Sequence, residues 1–206
     1  MKHERADYRI RVVDDDEGLL KSIRFGLQVD GWQVATFASA QAFLDEENFS
    51  VPGCLILDVQ MPGMNGPQLQ RLLEENGIAL PVIFLTAHAS VPLTIEAFRH
   101  GACDFLLKPV DPDELEATIL KAIWIDEERE TSIVKLSPAA RLATLTEREL
   151  QIARLVAQGL PSSVIGERLG RSRRTMERHR ANLMKKLGVH TPQEVAALLR
   201  EAGGTP

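Results

Sequence analysis

Apolar residues over the first 125 positions fall into short runs that alternate with amphipathic stretches. Tyr8 to Val13 is one such run, ending in Asp14-Asp15-Asp16, after which Leu19, Leu20, Ile23 and Leu27 recur at helical spacing. Gly31 to Phe37 reads as a second strand, and Ser39 as the start of a short helix. Cys54 to Leu57 is a compact apolar run closed by Asp58. Gln68 to Asn76 reads as helix, with Leu69, Leu72 and Leu73 on one face and Gly77 as its stop signal. Pro81 to Ala87 is a fourth strand, Pro92 to His100 the next helix, halted by Gly101, and Asp104 to Leu107 a fifth strand. Asp111-Pro112-Asp113-Glu114 opens a fifth helix, with Asp111 as its cap and proline in the first turn. Five strands alternating with five helices predict an α/β unit with a parallel sheet covered on both faces.

The pattern then changes. The fifth helix continues through Leu115, Ile119, Ala122 and Ile123 into the charged run 126–130, which reads as a solvated extension. Ser137-Pro138-Ala139-Ala140 reads as a hinge or loop. The last 65 residues read as four helices. Thr146-Glu147-Arg148-Glu149 and Thr191-Pro192-Gln193-Glu194 are capping boxes for the first and last, and Gly159-Leu160-Pro161 breaks the first. Ser162 or Ser163 opens the second, which ends at Gly170, and Ser172 caps a third that stops at Gly188.

Composition sharpens this outline. A chain of 206 residues exceeds the roughly 150-residue domain mode, so two domains are expected. With 44% apolar and 26% charged residues, long disorder is excluded. No apolar run approaches the roughly 18 residues of a membrane span, and nothing hydrophobic follows the charged amino terminus. Two cysteines, Cys54 and Cys103, make no disulfide framework and read as small buried apolar residues. The expectation is a soluble, cytoplasmic protein. Its net charge of −5 conceals a split. Residues 1–137 hold 23 acids and 12 bases (−11), whereas residues 138–206 hold 6 acids and 12 bases (+6). A small basic domain points to a polyanionic partner.

The chemistry of the acidic half gathers at strand ends, where open parallel sheets bind ligands. Asp14 and Asp15 follow the first strand, Asp58 closes the third, Thr86 the fourth, and Lys108 follows the fifth. Clustered carboxylates call for a hard cation such as Mg²⁺. A metal and an ammonium together suit a transferring phosphoryl group, and a carboxylate in line can accept it. Asp16 reads as a capping residue instead.

Residues 8–125 resemble a response-regulator receiver domain. The residues carrying the resemblance are Val-Val-Asp-Asp-Asp, Leu-Ile-Leu-Asp-Val-Gln-Met-Pro-Gly-Met-Asn-Gly, Phe-Leu-Thr-Ala-His and Asp-Phe-Leu-Leu-Lys-Pro. The resemblance implies a doubly wound, flavodoxin-like sheet of order 2-1-3-4-5. It implies Asp58 as phosphoacceptor, with Asp15, Asp14, Asp58 and the backbone carbonyl of Gln60 holding Mg²⁺. Thr86 and Lys108 would bind the phosphoryl group, a cis bond would precede Pro109, and Phe105 would be the switch aromatic. Gln60 and His88 fall where the family tunes hydrolysis. A sensor histidine kinase is the implied partner, and a homodimer the implied product.

Residues 141–203 resemble the helix-turn-helix domain of the LuxR/FixJ class, through Leu-Thr-Glu-Arg-Glu, Gly-Glu-Arg-Leu-Gly and Arg-Thr-Met-Glu-Arg-His-Arg-Ala-Asn-Leu-Met-Lys-Lys-Leu-Gly-Val. Order and length then fit a FixJ-type two-component transcription regulator with residues 126–140 as linker. Double-stranded operator DNA, RNA polymerase and an activating role come with that resemblance. The candidate DNA-contacting set is Arg171, Arg173, Arg174, Thr175, Glu177, Arg178, Asn182, Lys185 and Lys186. Arg171, Arg173, Lys185 and Lys186 are the phosphate candidates, and Arg180 adds a fifth guanidinium to this stretch. Ser162-Ser163 replaces the class's usual Asn-Lys pair, which should weaken one phosphate contact. Arg178 stands at a groove-facing position that is often small or apolar. Arg178→Ala is expected to relax specificity at one base pair, at ~1–3 kcal/mol, in a base-substitution binding series. Two other classes stay open: a metal-dependent phosphatase or phosphotransferase using the same carboxylates, and a constitutive DNA binder whose receiver serves only as a dimerisation module.

Overall fold

The computed structural model describes residues 4–47, 49, 51–87 and 101–203, apart from the Glu130 side chain. It divides into two compact units, 1–127 and 128–206. The expected helix at 92–100 lies outside the described residues, as does His88.

In the first unit a short 3₁₀ turn, Arg5–Asp7, precedes β1 (Arg9–Val13) and α1 (Glu17–Val29). Then come β2 (Gln33–Phe37), α2 (Ala40–Glu46), β3 (Gly53–Asp58), α3 (Gly66–Glu75), β4 (Val82–Thr86) and β5 (Ala102–Leu107). All four strand pairings are parallel, in the order β2-β1-β3-β4-β5. Alternation along the strands supplies two cores. One face sets Ile10, Val12, Ile56 and Leu85 against Leu20, Ile23, Leu27 and Ile119. The other sets Leu55, Leu57 and Phe84 against Phe43, Leu69 and Leu73. With a core on each side, all six residues of β3 are buried.

Local start signals explain the boundaries. Asp16 caps α1 by accepting from the amides of Gly18 and Leu19. α3 begins two residues before the expected start, because Asn65 and Gln68 form a reciprocal capping box. Asp111 accepts from the amides of Asp113 and Glu114 and opens α4 (Pro112–Lys135). Its charged run, which reads in the sequence as a solvated extension, is partly buried. Asp126 is buried and accepts from the amide of Gly53 at 3.3 Å. Its position follows from helical spacing, three residues beyond Ile123 on the core-facing side. Gly53 itself takes φ +139°, and a Cβ there would lie 2.1 Å from the Arg9 carbonyl oxygen.

The second unit holds the end of α4 and five further helices: α5 (Pro138–Ala143), α6 (Glu147–Ala157), α7 (Ser162–Leu169), α8 (Arg173–Leu187) and α9 (Pro192–Glu201). The expected hinge at residues 137–140 is instead the start of α5, capped by Ser137 with proline in its first turn. That is a start signal the sequence displays openly. The four helices expected after it are present, around a core of Ile152, Val156, Ile165, Met176, Leu183 and Leu198. Gly170 and Gly188 end α7 and α8 in the left-handed conformation. Thr191 caps α9, but Glu194 turns to the amide of His190 at 2.7 Å instead of closing the expected box. No described helix is long and apolar enough to cross a membrane.

Candidate functional site

Sheet register assembles the site. Val13 pairs with Leu57, so Asp14 and Asp58, each one residue further along, leave neighbouring strands at the same edge. Asp58 pairs with Leu85, which places Thr86 beside it, and Thr86 pairs with Leu107, which brings Lys108 alongside. The Lys108 amide donates to Thr86 O at 2.7 Å, and the Lys108–Pro109 bond is cis.

Lys108 Nζ lies 2.6 Å from Asp14 Oδ2 and 2.8 Å from Asp58 Oδ1. The other Asp58 oxygen, Oδ2, accepts from the Gln60 amide at 2.9 Å. Asp14 Oδ1 accepts from the Asp16 amide, also at 2.9 Å. Asp14 Oδ2 is buried, with the Lys108 ammonium as its close neighbour. Oxygens of Asp14, Asp15 and Asp58 lie within 4.8 Å of one another, with Asp14 and Asp58 buried and Asp15 exposed. Three neighbouring carboxylates, two of them buried and sharing the Lys108 ammonium, offer hard oxygen donors that fit a small divalent cation open to water on one side.

The charges show the same strain. Burial pushes the Asp58 carboxyl above its ordinary value and Asp14 adds to the push, while Lys108 and the Gln60 amide pull it back only in part. Burial pulls Lys108 down, but the hydrogen bonds and charges of Asp14 and Asp58 outweigh it and hold the ammonium above its ordinary value. Thr86 is buried at the strand end, and Phe105 is half-buried with its ring 6.2 Å from that of Phe84. Gln60 is exposed. Sequence reasoning overlooked Gly66. A Cβ on it would stand 2.3 Å from the Asp58 carbonyl oxygen, so the first turn of α3 touches the backbone of the central aspartate. Its signal in the sequence is a glycine eight residues past Asp58, at the end of the run that carries the receiver resemblance.

In the second unit, about 100° per residue along α8 places Arg174, Arg178, Ala181 and Lys185 opposite the core positions Met176, Leu183 and Leu187. Arg171, Arg173 and Arg174 are exposed around its amino end. Arg173 and Glu177 pair with each other at 2.7 Å on the surface, and the Thr175 hydroxyl meets that of Ser172 at 2.8 Å. Two of the expected DNA contacts are held inward. Asn182 is buried, and Lys186 pairs with Glu149 of α6 at 2.7 Å. Arg180 donates to the Leu160 carbonyl, so it too is held within the unit. Cys54 is buried and its thiol is pushed up to about 12 by that burial, whereas Cys103 is only half-buried.

Glu149 both closes the α6 capping box with Thr146 and takes Lys186. Burial alone would raise its carboxyl, but Lys186 and the Thr146 amide outweigh burial and hold it below the usual range. A depressed carboxyl stabilises the fold above its unfolded value, and that stabilisation is lost as pH falls through the folded value. Glu149→Gln is therefore expected to cost ~1–2 kcal/mol near neutrality, and less as the pH falls into the acid range. Thermal unfolding by far-UV circular dichroism across pH checks this, and a pH-independent difference would contradict it.

The comparisons with known proteins agree with this geometry. Residues 10–120 match the response regulator receiver domain, and residues 143–199 match the luxR family of bacterial regulatory proteins. The transcriptional regulatory protein FixJ of Bradyrhizobium diazoefficiens is 37% identical over 195 residues, covering 94% of this chain and 95% of the relative.

This chain belongs to the FixJ-type response regulators.

The C4-dicarboxylate transport transcriptional regulatory protein DctR of Rhodobacter capsulatus is 38% identical, over 93% of this chain and 98% of the relative. Among solved structures, the response regulator StyR is similar at TM-score 0.61 and 34% identity, over 95% of this chain and 99% of that one. Full-length FixJ from B. japonicum is similar at TM-score 0.54 and 35% identity, over 96% and 98%. The first unit is thus a receiver domain and the second a LuxR-type DNA-binding domain, and the regulator is one of transcription. A receiver implies a histidine kinase as partner.

Proposed function

We propose that the regulator is switched by a phosphoryl group on Asp58, delivered by a sensor histidine kinase, and that the switch controls dimerisation and binding to operator DNA. The observation that carries this reading is the convergence on Lys108: one ammonium within 2.8 Å of both Asp14 and Asp58 at the sheet's carboxyl edge.

A Mg²⁺ ion held by Asp14, Asp15, Asp58 and the Gln60 carbonyl would neutralise crowded oxygens and stabilise charge on the transferring group. The chain's own groups do the rest. Asp58 Oδ1 attacks phosphorus as the bond to the kinase histidine nitrogen breaks, leaving an acyl phosphate on Asp58 and a neutral imidazole on the kinase. The Gln60 amide fixes the other oxygen, so the attacking carboxylate has one orientation. Lys108 then exchanges its contact with Asp58 for one with a phosphoryl oxygen. Thr86, at the end of β4, and Phe105, within β5, respond by shifting a pre-existing two-state equilibrium. The receiver accepts one group stoichiometrically and does not turn over phosphoesters. Arg174, Arg178 and Lys185 present α8 to DNA, with Arg178 reading a base edge. By the resemblance, the cytoplasmic dimer activates transcription by meeting RNA polymerase.

The full chain with beryllofluoride and Mg²⁺ tests this reading. Sedimentation should show a dimer, and affinity for a duplex selected from a random-sequence library should rise. Lys108→Ala should abolish both responses. Equal affinity and mass with and without beryllofluoride would favour a constitutive binder.

A further inference from the structure

Arg180 stands apart from the other guanidinium groups of α8. It lies one turn beyond Met176 and three residues before Leu183, on the core-facing side of the helix and away from Arg174, Arg178 and Lys185. Its Nη1 donates to Leu160 O at 2.8 Å in part-buried surroundings. Leu160 immediately precedes Pro161, whose carbonyl accepts the first ladder bond of α7, from the Ile165 amide at 3.1 Å. At the other end of α7, Leu169 O accepts from Arg148 Nη2 of α6 at 3.2 Å. Such carbonyls in a last helical turn lack ladder partners and suit a cation. Between these ties, a Cβ on Gly166 would lie 2.6 Å from Arg171 O and 3.3 Å from Met176 Cγ, so α7 and the entry to α8 are in close contact. The first helix of the helix-turn-helix is thus fastened to α8 at its start, to α6 at its end, and packed against α8 in the middle.

We propose that Arg180 is a positioning residue for DNA recognition, setting the angle between α7 and α8 without touching DNA itself. The proposal rests on reading this domain as a DNA binder through the face of α8 opposite its core. Phosphate contacts act through charge and tolerate a small swing of the helix. Base-edge hydrogen bonds do not, since they weaken steeply with distance and angle. Loosening the Leu160 tie should therefore remove sequence preference before it removes attraction to DNA.

The test uses the full chain and a duplex it selects from a random-sequence library, beside a scrambled duplex of equal length. Binding is measured from about 50 to about 200 mM salt for the wild type, Arg180→Met, Arg180→Lys and Arg178→Ala. Arg180→Met should weaken binding to the selected duplex about tenfold, the scale of one charge-assisted hydrogen bond. Binding to the scrambled duplex and the salt slope should stay at wild-type values. Arg180→Lys, which keeps one N–H near Leu160, should recover part of the loss, and Arg178→Ala should lose specificity without rescue. A salt slope lowered by about one would make Arg180 a phosphate contact and overturn the proposal. An equal loss on both duplexes with a lowered melting temperature would reduce it to a fold-stabilising residue, and no change on either duplex would remove its role. A wild-type chain that enriches no duplex would defeat the DNA-binding reading itself, and this proposal with it.

Discussion

Arg11→Met is expected to destabilise the receiver by ~3–5 kcal/mol, although Arg11 lies outside the phosphoryl site. Its side chain is fully buried in the middle of β1, on the sheet face that meets α2 and α3. Nε donates to Glu47 Oε1 at 2.9 Å, Nη1 to Arg9 O at 2.9 Å, and Nη2 to Val51 O at 2.7 Å. Burial lowers the guanidinium's pKa from its ordinary value, and Glu47 restores part of the difference. Methionine fills much of the same volume but leaves Glu47, whose side chain is 2% exposed, as a buried carboxylate with Arg9 at 3.6 Å as its remaining ion-pair partner among the described residues. The double variant Arg11→Met, Glu47→Leu removes both charges and should regain most of the loss, because replacing a whole buried pair is far cheaper than breaking it. Urea unfolding followed by tryptophan fluorescence reports on this domain specifically, since Trp32 and Trp124 both lie within residues 1–127. A loss under 1 kcal/mol for the single variant, or no recovery in the double, would show that the pair is not what holds the segment after α2.

Gly66→Ala is expected to slow phosphoryl uptake by about 100-fold while leaving a folded receiver. The added methyl would stand 2.3 Å from Asp58 O and 3.0 Å from the Phe84 ring. It would push the first turn of α3 and the end of β3 apart. The Gly66 amide donates to Val59 O at 3.1 Å, so the displacement reaches the residue after the acceptor directly. A misplacement of about 1 Å is enough to cost two orders of magnitude in a reaction that depends on in-line attack. Uptake of label from a small phosphodonor measures the rate, with circular dichroism as the control for folding. Wild-type uptake by Gly66→Ala would mean that the helix absorbs the methyl by moving alone.

The elements legible in the sequence are those whose signals are local. Strand ends closed by Asp58, Thr86 and Lys108, the Thr146 box and the glycines after α7 and α8 each show within a few residues. What the sequence concealed depends on partners far along the chain. Arg11 looks like an interruption of an apolar strand until Glu47, 36 positions later, is beside it. Asp126 sits in a run of charges that reads as solvent-facing, and the Gly53 amide that it meets lies 73 positions away. Lys186, Arg180 and Asn182 carry the chemistry of DNA contacts, and only the packing of α6 and α7 against α8 shows that they point inward. The start of α5 is a different case. Ser137-Pro138 was a readable cap, but its turn-forming residues suit a loop equally well.

Intact-protein mass shows whether Asp58 accepts the phosphoryl group. The full chain is incubated with Mg²⁺ and acetyl phosphate, beside an Asp58→Asn variant and a Mg²⁺-free sample. One added phosphoryl group is expected in the wild type and none in either control. A label retained by Asp58→Asn, or one that forms equally well without Mg²⁺, would contradict it.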